Sequence, residues 1–139
     1  QKRDAEQVKQ IHRGGYVLHA CQGTPKAILI STGSEVALCM EAALQCQAQN
    51  IPVQVVSLPC WEVFAEQDKA YQESVLPSSV TARIAVEAGS TLCWHKFVGP
   101  NGCILGIDRY GESAPYTEIY QAFGLTVDNI VKNIHALMQ

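Results

Sequence analysis

Two kinds of apolar pattern alternate along the chain: short runs in which nearly every position is apolar, and longer stretches in which apolar positions recur every three or four residues. The first kind appears at 27–31 (AILIS), 53–58 (VQVVSL), 81–88 (TARIAVEA) and 103–107 (CILGI). Runs this short and this apolar predict strands buried on both faces, as in a parallel sheet. A further short strand is expected at 16–21 (YVLHAC). The second kind predicts helices over 5–12, 35–49, 91–97, 115–123 and from Thr126 onward, with one or two short helices between 59 and 77. In the helix at 35–49 the apolar face runs through Val36, Met40, Ala43 and Leu44, widened by Ala37, Leu38 and Cys39. In the last helix it runs through Val127, Ile130, Val131, Ile134 and Leu137.

Punctuation agrees with these boundaries. Asp4 caps the first helix, Glu6 sits in its first turn, and Gly14 with Gly15 ends it. Gly23-Thr24-Pro25 is a turn, Asn50 and Pro52 close the helix before them, and Asp68 caps a helix inside 59–77. Buried strands alternating with helices predict an α/β fold: an open, mostly parallel sheet covered on both sides. Ligands of such sheets bind at the carboxyl ends of strands. That singles out 31–35, 58–62, 87–91 and 108–115.

Composition narrows the function classes. A chain of 139 residues is about one domain long and holds a core without metal or disulfide support. Its ten Lys and Arg are scattered and its net charge is -3, so no nucleic-acid surface is expected. The six cysteines form no C-x-x-C pair and mostly lie in apolar stretches, which predicts reduced, buried thiols and a cytoplasmic protein. Neither a signal peptide nor a membrane-spanning run is present, so no membrane partner is expected. The chain opens without Met in helical chemistry, which predicts a piece of a larger protein.

Candidate chemistry is sparse. The stretch STGSEV, 31–36, has the outline of a phosphate loop, and Thr32, Gly33 and Ser34 are a candidate anion site because free N–H groups at a helix start attract anions. It lacks the glycine pattern and lysine of known phosphate loops. The competing reading is a capping box between Thr32 and Glu35. The loop RYGESAP, 109–115, is not a nucleophile elbow, and Arg109, Gly111, Glu112 and Ser113 are expected to form an interface rather than a catalytic site. Cys93 and His95 flank Trp94, but metal sites need three or four converging ligands, so a structural role is expected. Glu87, at a strand end, is a general acid or base if buried and a helix-entry carboxylate otherwise. No Walker A, H-E-x-x-H or G-D-G thiamine motif occurs, so the residues alone predict no catalytic, cofactor-binding or metal-binding position.

Taken in order, RGGYVL (13–18), TGSEV (32–36), YQESVLP (71–77), VTARIAVEAG (80–89), VGPNG (98–102), YGESAP (110–115) and FGLTVDNIV (123–131) resemble the C-terminal domain of bacterial-type transketolases over essentially the whole chain. The cysteines and Pro100 depart from that pattern. The resemblance implies one domain, 1–139, with 1–14 as entry helix and linker from a preceding domain. It implies a three-layer fold around a five-stranded mixed sheet whose first strand, 16–21, runs against the others. It implies a parent enzyme that moves two-carbon ketol units between sugar phosphates in the pentose phosphate pathway, as a homodimer using thiamine diphosphate and Mg2+. In that family the diphosphate and metal are held by another domain, and a substrate-binding arginine falls before Gln1. No catalytic, cofactor or metal residue is therefore carried over, and this piece alone is expected to be inactive, a structural and assembly domain. The alternative is a small-anion or metabolite-binding regulatory module built on Gly33, Ser34 and the loop at 111–115.

Overall fold

A computed structural model describes residues 4–108 and 115–139 of the chain. Its five strands are β1 (Tyr16–His19), β2 (Ala27–Ser31), β3 (Val53–Ser57), β4 (Arg83–Glu87) and β5 (Cys103–Gly106). They form one sheet in the order β1-β3-β2-β4-β5. β1 is antiparallel to β3, with a register irregularity between Val17 and His19, and the other pairs are parallel. The five-stranded mixed sheet with its first strand reversed is the architecture expected above.

The helices are α1 (Ala5–Ile11), α2 (Val36–Ala48), α3 (Trp61–Ala65), α4 (Lys69–Val75), α5 (His95–Val98), α6 (Tyr116–Ala122) and α7 (Val127–Leu137). Side chains alternate across a strand, so each central strand feeds two cores. Leu29, Val55, Ile84 and Val86 face α2 and α7, whose Cys39, Ala42, Cys46, Ile130 and Ile134 are buried against them. Ile28, Ile30, Val56 and Ala85 face the other way, onto Phe64 of α3, Val75 of α4, and Phe97 and Val98 of α5. Each fully buried Ile, Leu or Val contributes about 1.5–3 kcal/mol. Two cores back to back therefore bury β2 and β3 along their whole length.

The face each helix takes follows from handedness. The chain moves from β2 to β3 in one direction along the sheet and from β3 to β4 in the other, and both crossovers must be right-handed. α2 therefore covers one face, while α3 and α4 cross over β2 on the opposite face. The loops leaving β2 and β4 diverge at their carboxyl ends, where such sheets form a crevice.

Caps hold the short helices in place. Asp4 accepts the Gln7 amide at 2.7 Å while the Gln7 side chain accepts the Asp4 amide, so α1 opens with a full capping box. Asp68 accepts the Tyr71 amide at 2.8 Å and Thr126 the Asn129 amide at 3.3 Å. Elsewhere the sequence pattern needs correction. α2 starts at Val36 after a 3-10 turn at Gly33–Glu35, and its buried face is Val36, Cys39, Ala42, Ala43 and Cys46. Leu44 is 53% exposed. Small side chains line the buried face, which lets the helix lie close to the sheet. The expected strand at 16–21 stops at His19, and the helix at 91–97 is confined to His95–Val98, preceded by turns.

Candidate functional site

The crevice between the diverging loops is the natural place to look for chemistry. β2 ends at Ser31; Thr32 is extended, and Gly33 takes φ 62°, a left-handed turn that glycine allows. The 3-10 turn that follows folds Glu35 inward until it is 4% exposed. The Thr32 side chain makes no cap, so the expected Thr32 to Glu35 capping box does not form. The physical reason is a better partner for the carboxylate: Glu35 accepts from the Ser34 hydroxyl at 2.7 Å and from the Tyr120 hydroxyl of α6. A buried carboxylate needs such donors, because leaving it unpaired costs several kcal/mol.

Glu87 ends β4 beside this group and accepts the Gly89 amide at 3.0 Å. Burial first, and the nearby Glu35 second, push its carboxyl above the ordinary range. Burial, reinforced by the bond to Glu35, also pushes the Tyr120 hydroxyl up. After β5, Asp108 accepts the Thr91 amide and hydroxyl, both at 2.9 Å, which hold its carboxyl below the usual value. A cleft of about 260 Å³ lies here, walled by Thr32, Leu58, Trp61, Glu87, Cys93 and Trp94. No Lys or Arg among the described residues lines it. One carboxylate, Glu87, with the Thr32 and Ser90 hydroxyls among indole and phenyl rings, makes a mostly apolar crevice with a negative group at its edge.

The sequence candidates fare unevenly against this geometry. Thr32, Gly33 and Ser34 do sit at the crevice, but the Ser34 hydroxyl is donated to Glu35, so an anion at Gly33 would face a carboxylate. Arg109, Gly111, Glu112 and Ser113 lie outside the described residues. Cys93 is exposed and Trp94 buried, and among the described residues no three His, Cys, Asp or Glu groups converge on a metal position. The cysteines are less buried than expected: Cys39 and Cys46 are buried, Cys21, Cys60 and Cys103 are half-buried, and all six are free. Burial pushes the Cys39 thiol up to about 12, which leaves it an inert core group. No helix among the described residues is long and apolar enough to cross a membrane.

Sequence reasoning missed the pairing of Glu35 with Tyr120. The two lie 85 positions apart on elements that only the finished fold brings together, and the local pattern at Glu35 points to Thr32 instead. Tyr120→Phe is expected to lower stability by about 2 kcal/mol, the range for hydrogen bonds to charged groups. The check is the urea midpoint, with a Glu35→Gln Tyr120→Phe double variant closing a mutant cycle. A single-variant change below about 0.5 kcal/mol would mean the bond holds nothing.

Comparison with known proteins follows the same outline. The family model described as the transketolase-like TK C-terminal domain matches residues 14–126. Transketolase 2 of Aliivibrio fischeri is 50% identical over 138 residues, which cover 99% of this chain and 21% of that protein. Transketolase 1 of Escherichia coli is 49% identical over the same length and the same share of each chain. A solved transketolase from Leishmania mexicana superposes with a TM-score of 0.85 at 30% identity, covering 94% of this chain and 19% of that one. The chain thus spans about a fifth of the length of the curated relatives it matches. These relatives give no support to a small-anion or metabolite-binding module.

Proposed function

This chain belongs to the family of transketolase-like C-terminal domains, and from that membership we propose that it is the structural and assembly domain of a transketolase. The parent enzyme, on this reading, transfers two-carbon ketol units between sugar phosphates as a cytoplasmic homodimer. The observation that carries the proposal is the collinear match over 138 residues to proteins named transketolase.

Thiamine diphosphate with Mg2+ supplies the carbanion chemistry of that reaction, and the crevice described above does not fit it. A diphosphate and its metal need cationic or amide donors and a ligand set. The crevice instead presents Glu87, with the buried Glu35 near enough to raise its carboxyl, and no Lys or Arg lines it among the described residues. No step of the ketol transfer is therefore given to this chain's residues. Residues 1–14 are assigned as the entry helix and linker from the preceding domain. This fits α1, which has no buried residue and joins the sheet through Gly14. The loop of Arg109, Gly111, Glu112 and Ser113 is carried in the proposal as a contact between parts of the enzyme, on its sequence alone.

Two measurements test the reading. The isolated 139-residue chain is expected to show neither ketol transfer nor thiamine diphosphate binding by calorimetry. Fused in place of the matching part of Escherichia coli transketolase 1, it is expected to give an active dimer. Activity in the isolated chain, or a folded dimeric fusion without activity, would overturn the proposal.

A further inference from the structure

Beside the crevice, with which it shares Phe97, a groove of about 490 Å³ runs toward the start of β4 and has a different chemistry. Its floor is apolar, formed by Phe64, Leu76 and Phe97. Its polar walls carry three cations, Lys69, Arg83 and Lys96, against one carboxylate, Glu73. That carboxylate is already engaged, since one Glu73 oxygen accepts both the Ser78 amide and the Ser78 hydroxyl at 2.8 Å.

Two of the cations, Arg83 and Lys96, are held in place by the fold. The Arg83 guanidinium donates to the carbonyls of Leu76, Pro77, Val80 and Phe97 at 2.8–3.1 Å. These carbonyls fix the fork but leave its formal charge, and no carboxylate lies within ion-pair distance of it among the described residues. One of its five N–H groups remains for a ligand. The Lys96 ammonium stands 3.6 Å from the ring centroid of Trp61, a wall of the crevice, so this cation is held where groove and crevice meet. Lys69 is the first residue of α4, behind the Asp68 cap.

We propose that this groove binds a small anion carrying an apolar body, such as a medium-chain carboxylate, with its head group between Lys69 and Arg83 and its tail over Phe64 and Phe97. The volume falls in the range of small-molecule sites. The charge imbalance selects the sign of the head group, and the aromatic floor rewards a tail that free phosphate lacks. The proposal does not depend on the parent enzyme's reaction.

The test is an amide NMR titration of the 139-residue chain with sodium hexanoate, sodium propanoate, hexylammonium chloride and inorganic phosphate. Hexanoate is expected to shift the amides of Ala65, Lys69, Gln72 and Phe97 with saturation, and to bind about two- to fourfold tighter than propanoate for each methylene buried. Lys69→Gln is expected to weaken hexanoate about fivefold while the remaining spectrum stays folded, in line with the loss of one solvent-exposed ion pair. Lys96→Gln serves as an independent second variant. Non-saturating shifts, equal binding of hexylammonium, equal binding of phosphate, or indifference to both lysine variants would each overturn the proposal.

Discussion

Replacing Arg83 by methionine is expected to destabilise the domain by about 3–5 kcal/mol, a loss large enough to unfold a marginal protein. The reason lies at two helix ends. α4 stops at Val75 and α5 at Val98, and both leave carbonyls with no intrahelical partner. Arg83 donates to Leu76 and Pro77 after the first and to Phe97 in the second, so one guanidinium closes two helices onto the start of β4. The positive charge also meets the negative end of each helix dipole. Methionine keeps the stem and removes every donor. Lysine restores the charge but cannot fork to four carbonyls, so Arg83→Lys is expected to recover less than half of the loss. The measurement is the midpoint of chemical denaturation for the three proteins. A change under about 1 kcal/mol for Arg83→Met would show that water replaces the guanidinium without penalty.

How much of this was legible in advance depends on whether the signal is local. β2 and β3 announced themselves because strands buried on both faces must be apolar at nearly every position. The caps at Asp4 and Asp68 were legible because a cap is a three-residue interaction, whereas Thr126 was read only as a helix start. α2 was harder. Its buried face is made of Cys and Ala, and hydrophobicity favours the larger Leu44, which the fold turns outward. The reversed first strand followed from the family resemblance, since four residues with mixed burial carry no directional mark. The Glu35–Tyr120 bond and the groove around Arg83 were illegible, because both join elements far apart in sequence. What the residues offered at Thr32 and Glu35 was a plausible local cap, and a distant hydroxyl outcompeted it.

Gly14→Ala is expected to cost about 3 kcal/mol or more, although it adds a single methyl group. Gly14 links α1 to β1 with φ 81°, a conformation that side chains bearing a Cβ adopt only under strain. Space is the larger obstacle. A Cβ there would collide with the Cys60 carbonyl oxygen and lie 2.5 Å from the Phe64 amide nitrogen, both backbone atoms that cannot swing aside. Those contacts are tight because the link is bonded to α3: the Cys60 amide donates to the Gly14 carbonyl at 2.9 Å. The Tyr71 hydroxyl donates to the next carbonyl, Gly15, at 2.8 Å, and Arg13 stacks 4.4 Å from the Tyr71 ring centroid. Relief of the clash must therefore push α1 and its link off the α3–α4 surface. Gly23 makes the control, since it shares a positive φ of 75° with nothing within 4 Å of a built Cβ. Gly23→Ala is expected to lose only about 1 kcal/mol, the conformational part alone. Thermal melts of the two variants separate strain from collision, and equal losses at both positions would mean that the packing of the link against α3 holds nothing together.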